Sequence, residues 1–264
     1  MPIICFMAAT FSCQAQIYKF PVNLKFCIFA RISRIRREIM LIVIEGLDGA
    51  GKSTQVALVK EYMEKSGRKL KYLHFPRFDA PVYGELIAGF LRGEFGPNDA
   101  VHPQLVALLF AQDRADAASI IREWLSQGCC VLLDRYVYSN IAYQCSKLKD
   151  KESADRLRKW IFDLEYEKFA IPVPDANIFL DVPISFVDRK LKEARKGDER
   201  DYLKGKADIH EADMEFQKRV RETYLEQCRA DRNFIRVECA GENGEMLPAA
   251  QIFSSIKSII DKLL

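Results

Sequence analysis

A short loop between two regular segments constrains this chain more than any other feature. It is IEGLDGAGKST, which starts at Ile44, the last residue of the apolar run LIVI, and ends at Thr54. The pattern G-x-x-x-x-G-K-[ST] is met by Gly46, Gly51, Lys52 and Ser53. Glycines permit turns that a side chain would forbid, so successive backbone N–H groups can point at a phosphate. With a strand before it and a helix after it, this phosphate-binding loop (P-loop) predicts an α/β fold that binds a nucleotide.

The loop residues have separate predicted roles, with ATP as the ligand. Lys52 would reach the β- and γ-phosphates, and the Ser53 hydroxyl would bind Mg²⁺. The ATP-binding set is completed by the rest of the loop: Gly46, Leu47, Asp48, Gly49, Ala50, Gly51 and Thr54. A glycine-rich turn that binds no ligand is the alternative interpretation.

Short apolar segments alternate with longer segments of helical period, which is typical of parallel α/β proteins. The predicted strands are apolar on both faces, which indicates buried strands: Leu41–Glu45, Leu70–His74, Cys130–Leu133, Asn177–Leu180 and Phe234–Val237. Helices are predicted at Ser53–Ser66, Val82–Arg92, Gln104–Gln127, Ser153–Phe169, Ser185–Lys192, Glu211–Arg229 and Leu247–Leu264. There is no internal repeat and no long linker, so residues 40–264 are predicted to form one domain.

Residues 1–39 differ in charge from the rest of the chain. They hold six basic residues and one acid, Glu38, so the formal net charge of +3 for the chain becomes −2 for residues 40–264. A net charge of −2 gives no indication that residues 40–264 bind nucleic acid. The basic leader is similar to an organelle transit peptide, but a start-site artefact before Met40, or a disordered extension, is the favoured interpretation. No apolar run is long enough to cross a bilayer.

The spacing of the cysteines and histidines argues against a disulfide-stabilised protein and against a zinc-binding protein. The eight cysteines include no C-x-x-C pair, and Cys129 and Cys130 lie in an apolar strand, which indicates a reducing compartment rather than a disulfide framework. His74, His102 and His210 are too far apart for a zinc site. We expect these histidines to be solvated or simply hydrogen-bonded.

The strand CCVLL ends in Asp134, Arg135 and Tyr136. A carboxylate at the carboxyl end of a parallel strand faces the ligand crevice, where it can hold Mg²⁺ or its water. The adjacent arginine is a planar donor suited to a phosphate. A surface ion pair is the alternative. No N-K-x-D motif is present, which argues against a GTPase.

Three more stretches predict a second ligand site. HFPRF, which ends at Phe78, follows the second strand and offers Phe75, Pro76 and Arg77. In LLFAQDRADA, Phe110 and Arg114 are four residues apart and share a helix face, so a ring and a guanidinium could hold a base. Core packing is the alternative for Phe110. DRYVYSNIAYQ presents polar groups spaced for one helix face: Ser139, Asn140, Tyr143 and Gln144.

In this order and spacing, IEGLDGAGKST, FPRF, LFAQDRADA and DRYVYSNIAYQ resemble the thymidylate kinase (dTMP kinase) family from about Met40 to the C-terminus. The last two motifs separate this family from adenylate and shikimate kinases. The resemblance implies transfer of the γ-phosphate of ATP to dTMP, giving dTDP and ADP for dTTP synthesis, with Mg²⁺ as cofactor. It also implies a five-stranded parallel sheet flanked by helices and a cytoplasmic homodimer, without a nucleic-acid or membrane partner.

The resemblance implies roles for individual residues as well. Asp48 matches the acid that holds the deoxyribose 3′-hydroxyl close to Mg²⁺, so the implied metal set is Ser53, Asp48 and Asp134. Phe110 matches the ring that stacks on thymine, and Arg114 matches the donor to its O4 edge.

The rest of the implied dTMP site surrounds the acceptor phosphate and the sugar. Arg135 matches the acceptor-phosphate arginine, with Arg77 nearby, and Tyr143 matches a tyrosine that packs beside C2′. Such packing disfavours a ribose 2′-hydroxyl. The site also includes Phe75, Pro76, Ser139, Asn140 and Gln144.

The charged stretch EARKGDERDYLKGKAD, residues 193–208, is predicted to be a mobile lid, with a solvated surface loop as the alternative. Some family members carry an arginine in the P-loop where this chain has Gly49, and others place catalytic arginines in the lid. The resemblance therefore implies the lid-arginine bacterial type, with Arg195 first and Arg200 second. Before the lid, Arg189 matches a residue that stacks on adenine.

The implied catalytic set is Lys52, Asp134, Arg135, Arg195 and Arg200. Two other functions stay open at this point. A deoxynucleoside kinase or a broader pyrimidine monophosphate kinase shares the fold, although Arg77 and Arg135 favour a phosphorylated acceptor. A non-catalytic ATP-binding module is the other, and it would not need the lid arginines.

Overall fold

The computed structural model of the chain describes residues 39–193, 198–206, 208–211 and 213–264, without the side chains of 198–200. Five parallel strands form one sheet in the order β2-β3-β1-β4-β5. They are β1 Leu41–Gly46, β2 Leu70–His74, β3 Cys130–Asp134, β4 Ala176–Asp181 and β5 Phe234–Glu238. The predicted parallel sheet is confirmed, and each predicted strand overlaps an observed one.

Helices cover the sheet and mostly follow the predicted segments. They are α1 Lys52–Lys65, α2 Tyr83–Leu91, α3 Pro103–Ser126, α4 Val137–Cys145, α5 Lys151–Phe162, α6 Ile184–Lys192, α7 Met214–Ala230 and α8 Ala249–Leu263. A π-helical segment, Asp163–Lys168, extends α5, and a 3₁₀ helix covers Asp198–Leu203. In the described residues, no helix is both long enough and apolar enough to cross a membrane.

The largest differences from the predicted helices are at the start of α7, at α4 and at the end of α5. Helix α7 begins at Met214 and not at Glu211, because the carboxylate of Asp213 caps it by accepting a hydrogen bond from the Glu215 N–H at 2.9 Å. Helix α4 was absent from the predicted helices, although the polar spacing in its sequence had indicated a helix face. The π-helical segment replaces the last part of the helix predicted to end at Phe169, and it carries a residue of the site.

The sheet brings the chemically important strand ends together. Strands β1 and β3 are buried throughout, and Ile44 of β1 lies opposite Asp134 of β3. On the other side of β3, His74 of β2 is in register with Asp134. Because all strands are parallel, the P-loop after β1 and the acid that ends β3 lie at the same edge of the sheet.

A second apolar cluster is separate from the main core. It contains one phenylalanine from each of two predicted ligand-binding motifs, HFPRF and LLFAQDRADA. Its buried residues are Ile87, Phe90 and Leu91 of α2 and Val106 of α3. Partly buried side chains pack against it, and they are Phe78, Tyr83, Val101, Leu109, Phe110, Tyr202 and Ile209. We call this set the aromatic cluster.

Candidate active site

The P-loop has the backbone that phosphate binding requires. Gly49 and Gly51 have φ angles of 74° and 77°, in the left-handed region that favours glycine. A Cβ on Gly51 would meet no atom within 4 Å, so its backbone angle and not crowding requires glycine there. Helix α1 starts immediately afterwards, and Ser53 and Thr54 are exposed in its first turn.

Lys52 lies folded over the loop that it belongs to. Its Nζ donates to the carbonyl oxygen of Leu47 at 2.9 Å and approaches that of Gly46 at 3.4 Å. Burial, with the nearby positive charge of Arg135, lowers the pKa of Lys52 to about 8. The ammonium is therefore positioned at the loop, where a phosphate could replace the carbonyl contacts.

Asp48, in the middle of the P-loop, joins the loop to the end of β3 and to α4. One oxygen of its carboxylate accepts from Nη2 of Arg135 at 2.5 Å, and the other accepts from the hydroxyl of Tyr143 at 2.6 Å. Burial opposes ionisation of Asp48, but Arg135, Lys52 and Tyr143 together hold its pKa well below the usual range. Both oxygens thus already have partners in the chain, so the implied roles of Asp48, in binding the sugar and in binding Mg²⁺, stay predictions.

Arg135 is held in an unusual backbone conformation. Its φ is 68°, which is uncommon for a residue with a side chain, and its backbone N–H donates to the Ile44 carbonyl at 2.9 Å. The guanidinium reaches Asp48 through Nη2 and the hydroxyl of Ser139 through Nη1 at 3.1 Å. This fixed, nearly buried cation fits the predicted phosphate-binding role.

Glu45, the residue before Gly46, was not selected from the sequence. It is fully buried, and one oxygen accepts the backbone N–H of Tyr136 at 2.9 Å and that of Ser139 at 3.2 Å. Its other oxygen accepts from the hydroxyls of Ser139 and Tyr224. Burial is the main cause that raises the pKa of Glu45. This carboxylate caps the start of α4 and so positions Arg135 through Ser139.

Asp134 has one occupied and one unoccupied oxygen. Its Oδ2 lies 3.4 Å from Nδ1 of His74, whereas Oδ1 is buried without a hydrogen-bond partner in the described part of the chain. Although burial opposes it, the hydrogen bond from His74 and the charge of Lys52 lower the pKa of Asp134. A free carboxylate oxygen and the exposed Ser53 hydroxyl are the hard oxygen ligands that Mg²⁺ prefers, so these two residues fit the predicted metal. Across the described residues, no cluster of three or more His, Cys, Asp or Glu side chains could hold a metal by itself.

The FPRF segment lies beside α3. Phe75 is buried against the ring of Tyr136, at 5.8 Å between centroids, and the bond from Phe75 to Pro76 is cis. Arg77 donates from Nε to Asp113 at 2.8 Å and from Nη2 to Asp116 at 2.6 Å. These α3 acids hold the Arg77 side chain, so its implied phosphate contact would have to compete with them.

Arg114 is almost completely buried and forms a two-point ion pair with Glu165 of the π-helical segment. Its Nε and Nη2 donate to the two carboxylate oxygens, the second at 2.7 Å. Asn140 joins the pair, since its Nδ2 donates to Glu165 at 3.0 Å and to the Ala107 carbonyl at 2.9 Å. Phe110 lies on the same helix as Arg114 and is half-buried. Of the predicted base-binding residues, Arg114 and Asn140 therefore meet, through Glu165, which the sequence motifs did not reveal.

The described part of the predicted lid packs on α2. Tyr202 stacks on Phe78 with a centroid distance of 3.7 Å and an interplanar angle of 5°. The carbonyl of Tyr202 accepts from Arg92 at 2.7 Å, and Lys204 forms an ion pair with Glu85 at 2.9 Å. Arg195 and the side chain of Arg200 lie outside the described residues. Arg189 is exposed on α6, with its guanidinium 5.4 Å from the centroid of the Phe186 ring.

A loop with the backbone for phosphate binding, joined through the Asp48–Arg135 contact to the residues predicted to hold an acceptor, is the arrangement of an α/β P-loop kinase that phosphorylates nucleoside monophosphates. The family model for thymidylate kinase matches residues 44–246. The chain therefore belongs to the thymidylate kinase family.

Individual relatives agree over most of the chain. Thymidylate kinase of Mycobacterium tuberculosis is 36% identical over 193 residues, covering 71% of this chain and 85% of the relative. That of Thermosipho melanesiensis is 30% identical over 227 residues, covering 85% of this chain and 99% of the relative. Among solved structures, thymidylate kinase from Candida albicans superposes with a TM-score of 0.63 at 26% identity, covering 85% of this chain and 92% of that one.

Proposed function

We propose that the chain transfers the γ-phosphate of ATP to dTMP, giving dTDP and ADP. One observation supports this most directly: Asp48, a P-loop residue, is bonded both to Arg135 and to Tyr143 of α4. The donor loop and the acceptor pocket thus meet at one carboxylate. A module that only bound ATP would have no need of such a shared contact.

Each residue of this arrangement has a defined task in the proposed reaction. The backbone N–H groups of the P-loop hold the ATP phosphates, and Lys52 leaves the Leu47 carbonyl to bind the transferring phosphoryl group. Arg135 binds the acceptor phosphate and keeps its oxygen in line with that group. Ser53 and Asp134 would hold Mg²⁺, which neutralises charge on the phosphate oxygens.

The finer parts of the proposal follow the family resemblance. Arg195 and Arg200 are proposed to meet the charge on the transferring phosphoryl group, because the P-loop offers only Gly49 where other members have an arginine. Arg189 is proposed to stack on adenine. We also propose that the protein is a homodimer and acts in the cytoplasm.

A panel of acceptor substrates tests the function. With ATP and Mg²⁺, we expect dTMP to be phosphorylated with a higher kcat/KM than dCMP, dGMP, AMP and unphosphorylated thymidine. The reason is that Arg135 can bind only an acceptor that carries a phosphate. The Oδ1 atom of Asn140 can accept a hydrogen bond from a base only if the base has an N3–H group. Equal turnover of dTMP and dCMP would favour the broader pyrimidine kinase, and preferential turnover of thymidine would favour a nucleoside kinase. Binding of ATP without turnover of any acceptor would favour the ATP-binding module.

A further inference from the structure

A lysine that no predicted role includes lies one helical turn beyond the polar face of α4. Lys147 follows Asn140, Tyr143 and Gln144 at spacings of seven, four and three residues, so it continues their face of the helix. Its backbone N–H donates to the Gln144 carbonyl at 3.3 Å, which keeps it in the turn that ends the helix. The residue is therefore placed to reach the same pocket as the three side chains before it.

The ammonium of Lys147 is buried in the aromatic cluster. Its Nζ lies 4.8 Å from the centroid of the Phe90 ring, and Phe90 packs edge-on against Phe110 at 6.4 Å. Within the described residues, this Nζ has no hydrogen-bond acceptor. Burial lowers the pKa of Lys147 to about 7. The ring face stabilises the cation on one side, but three N–H groups without acceptors are costly to bury.

Other polar atoms on this face of α4, and on His210 beside Tyr143, are also unsatisfied. Oδ1 of Asn140, Oε1 of Gln144 and Nε2 of His210 are buried and have no partner among the described residues. His210 packs between Phe90 and Tyr143, at 5.5 Å and 5.0 Å between centroids. Burial lowers the pKa of His210 to about 3, so it adds no second positive charge. Buried polar groups are nearly always paired, so unpaired atoms on one helix face and on a residue packed against it indicate a ligand that pairs them.

The arrangement along α4 fits the edge of a pyrimidine-2,4-dione. The Nδ2 atom of Asn140 is already bonded to Glu165, so its free Oδ1 is the acceptor that an N3–H group requires. On one side of Asn140 lies Glu165, which holds Arg114, the residue that the family resemblance assigns to the O4 edge. On the other side the helix continues through Tyr143 to Lys147. The ring oxygen on that side, next to the glycosidic bond, is O2.

We propose that Lys147 donates a hydrogen bond to O2 of the acceptor pyrimidine and is a specificity-determining residue of this site. The inference rests on the proposed function, because it takes the acceptor to be dTMP. It explains why an ammonium is buried beside Phe90 without an acceptor: the bound base supplies one. It adds a contact at the O2 edge that purines, which lack this oxygen, cannot make.

The test combines two atomic changes in the base with two substitutions at Lys147. Steady-state KM and kcat are measured for dTMP, 2-thio-dTMP and 4-thio-dTMP with the unaltered full chain, Lys147→Met and Lys147→Arg. Sulfur is the weaker acceptor, so in the unaltered chain 2-thio-dTMP should have a KM about ten-fold above that of dTMP. Lys147→Met should raise the KM for dTMP about ten-fold and abolish the additional effect of 2-thio substitution, whereas Lys147→Arg should retain part of it. The 4-thio effect should be the same in all three.

Two controls separate binding from folding. Lys149→Met removes an exposed lysine two residues later and should leave every KM unchanged. Thermal unfolding of Lys147→Met should occur at an equal or higher temperature than that of the unaltered chain, because replacing an unpaired buried cation by an apolar group is neutral or stabilising. A purely structural lysine would show a lower unfolding temperature without any difference between the two thio analogues.

The proposal for Lys147 is overturned if the 2-thio effect is equally large in the unaltered chain and in Lys147→Met, or if the KM for dTMP is unchanged by the substitution. In both cases dTMP would still be the preferred acceptor, and the proposed function would stand. If the unaltered chain did not prefer dTMP in the panel of acceptors, the function itself would fail before Lys147 was tested.

Discussion

The two halves of the site are built in opposite ways. The donor half is one continuous loop, Gly46–Thr54, whose predicted phosphate contacts come from the backbone and whose lysine bonds to loop carbonyls. The acceptor half is assembled from α3, α4, the π-helical segment and the segment before α7 that carries His210. It contains buried polar atoms, on Asn140, Gln144 and His210, that have no partner in the part of the chain that the structure describes. A backbone loop binds the phosphates that all nucleotides share, whereas a pocket with unpaired atoms favours the one ligand that pairs them all.

Removing the donor-half cation should have the largest effect on the reaction. For Lys52→Met we expect kcat to fall by about 10³-fold or more, because nothing else in the loop places a positive charge on the transferring phosphoryl group. The KM for dTMP should change by less than about three-fold, since the acceptor pocket does not include Lys52. Rapid-quench or coupled-assay kinetics measure both.

Lys69→Met, at an exposed lysine before β2, is the matched control and should leave kcat and the KM for dTMP unchanged. The division of the site into two halves would be wrong if Lys52→Met weakened dTMP binding as strongly as it slowed turnover.

In the acceptor half, the largest expected effect is on stability. Arg114→Met would leave the carboxylate of Glu165, which is fully buried, without its cation. Removing one partner of a buried pair typically costs about 3–5 kcal/mol, while replacing both by apolar residues is often neutral. We therefore expect Arg114→Met to lower the free energy of unfolding in urea by about that amount and the double variant Arg114→Met/Glu165→Met to recover most of it.

If the single variant were as stable as the unaltered chain, Glu165 would not depend on Arg114. The double variant also separates this structural role from the implied contact to O4. A KM for dTMP that stays high after stability has recovered would support a contact with the base.

The same contrast explains what the sequence could and could not predict. The P-loop, the positions of the five strands along the chain and the acid that ends β3 depend on short local patterns, so they were predicted within one or two residues. The shared face of Asn140 and Tyr143 was predicted as well, because helical spacing is local. Glu165 was not, because its contact with Arg114 joins residues 51 positions apart and lies in a π-helical segment that no sequence signal indicated.

The position of His210 was not predicted either, because it also depends on contacts between segments that are distant in the sequence. His210 was expected to be solvated or simply hydrogen-bonded, but it is buried between aromatic rings beside Tyr143. Its side chain faces the acceptor half only because the segment after the lid folds back over α2, where the Ile209 N–H donates to the Leu91 carbonyl at 3.0 Å. The implied roles of Arg77 and Arg114 stay predictions, since both guanidinium groups already bind carboxylates of the chain.

The smallest expected effect comes from the hydroxyl that joins the two halves. Tyr143→Phe removes the hydrogen bond to Asp48 at 2.6 Å and leaves Asp48 paired with Arg135. We expect kcat/KM for dTMP to fall about ten-fold, with the KM for ATP unchanged, because one charge-assisted hydrogen bond is lost on the acceptor side only. Tyr62→Phe is the matched control, since it removes a similar tyrosine–carboxylate bond, to Asp261 at 2.5 Å, on the far face of α1.

The ring of Tyr143 can be separated from its hydroxyl by a second substitution. If discrimination against the ribonucleotide with the same base depends on packing beside C2′, Tyr143→Phe should retain it and Tyr143→Ala should lose it. Loss of discrimination in both variants would mean that the hydrogen bond to Asp48, and not the shape of the pocket, excludes ribose. Sugar selection would then belong to the shared carboxylate, and the boundary between the donor and acceptor halves would run through Asp48 itself.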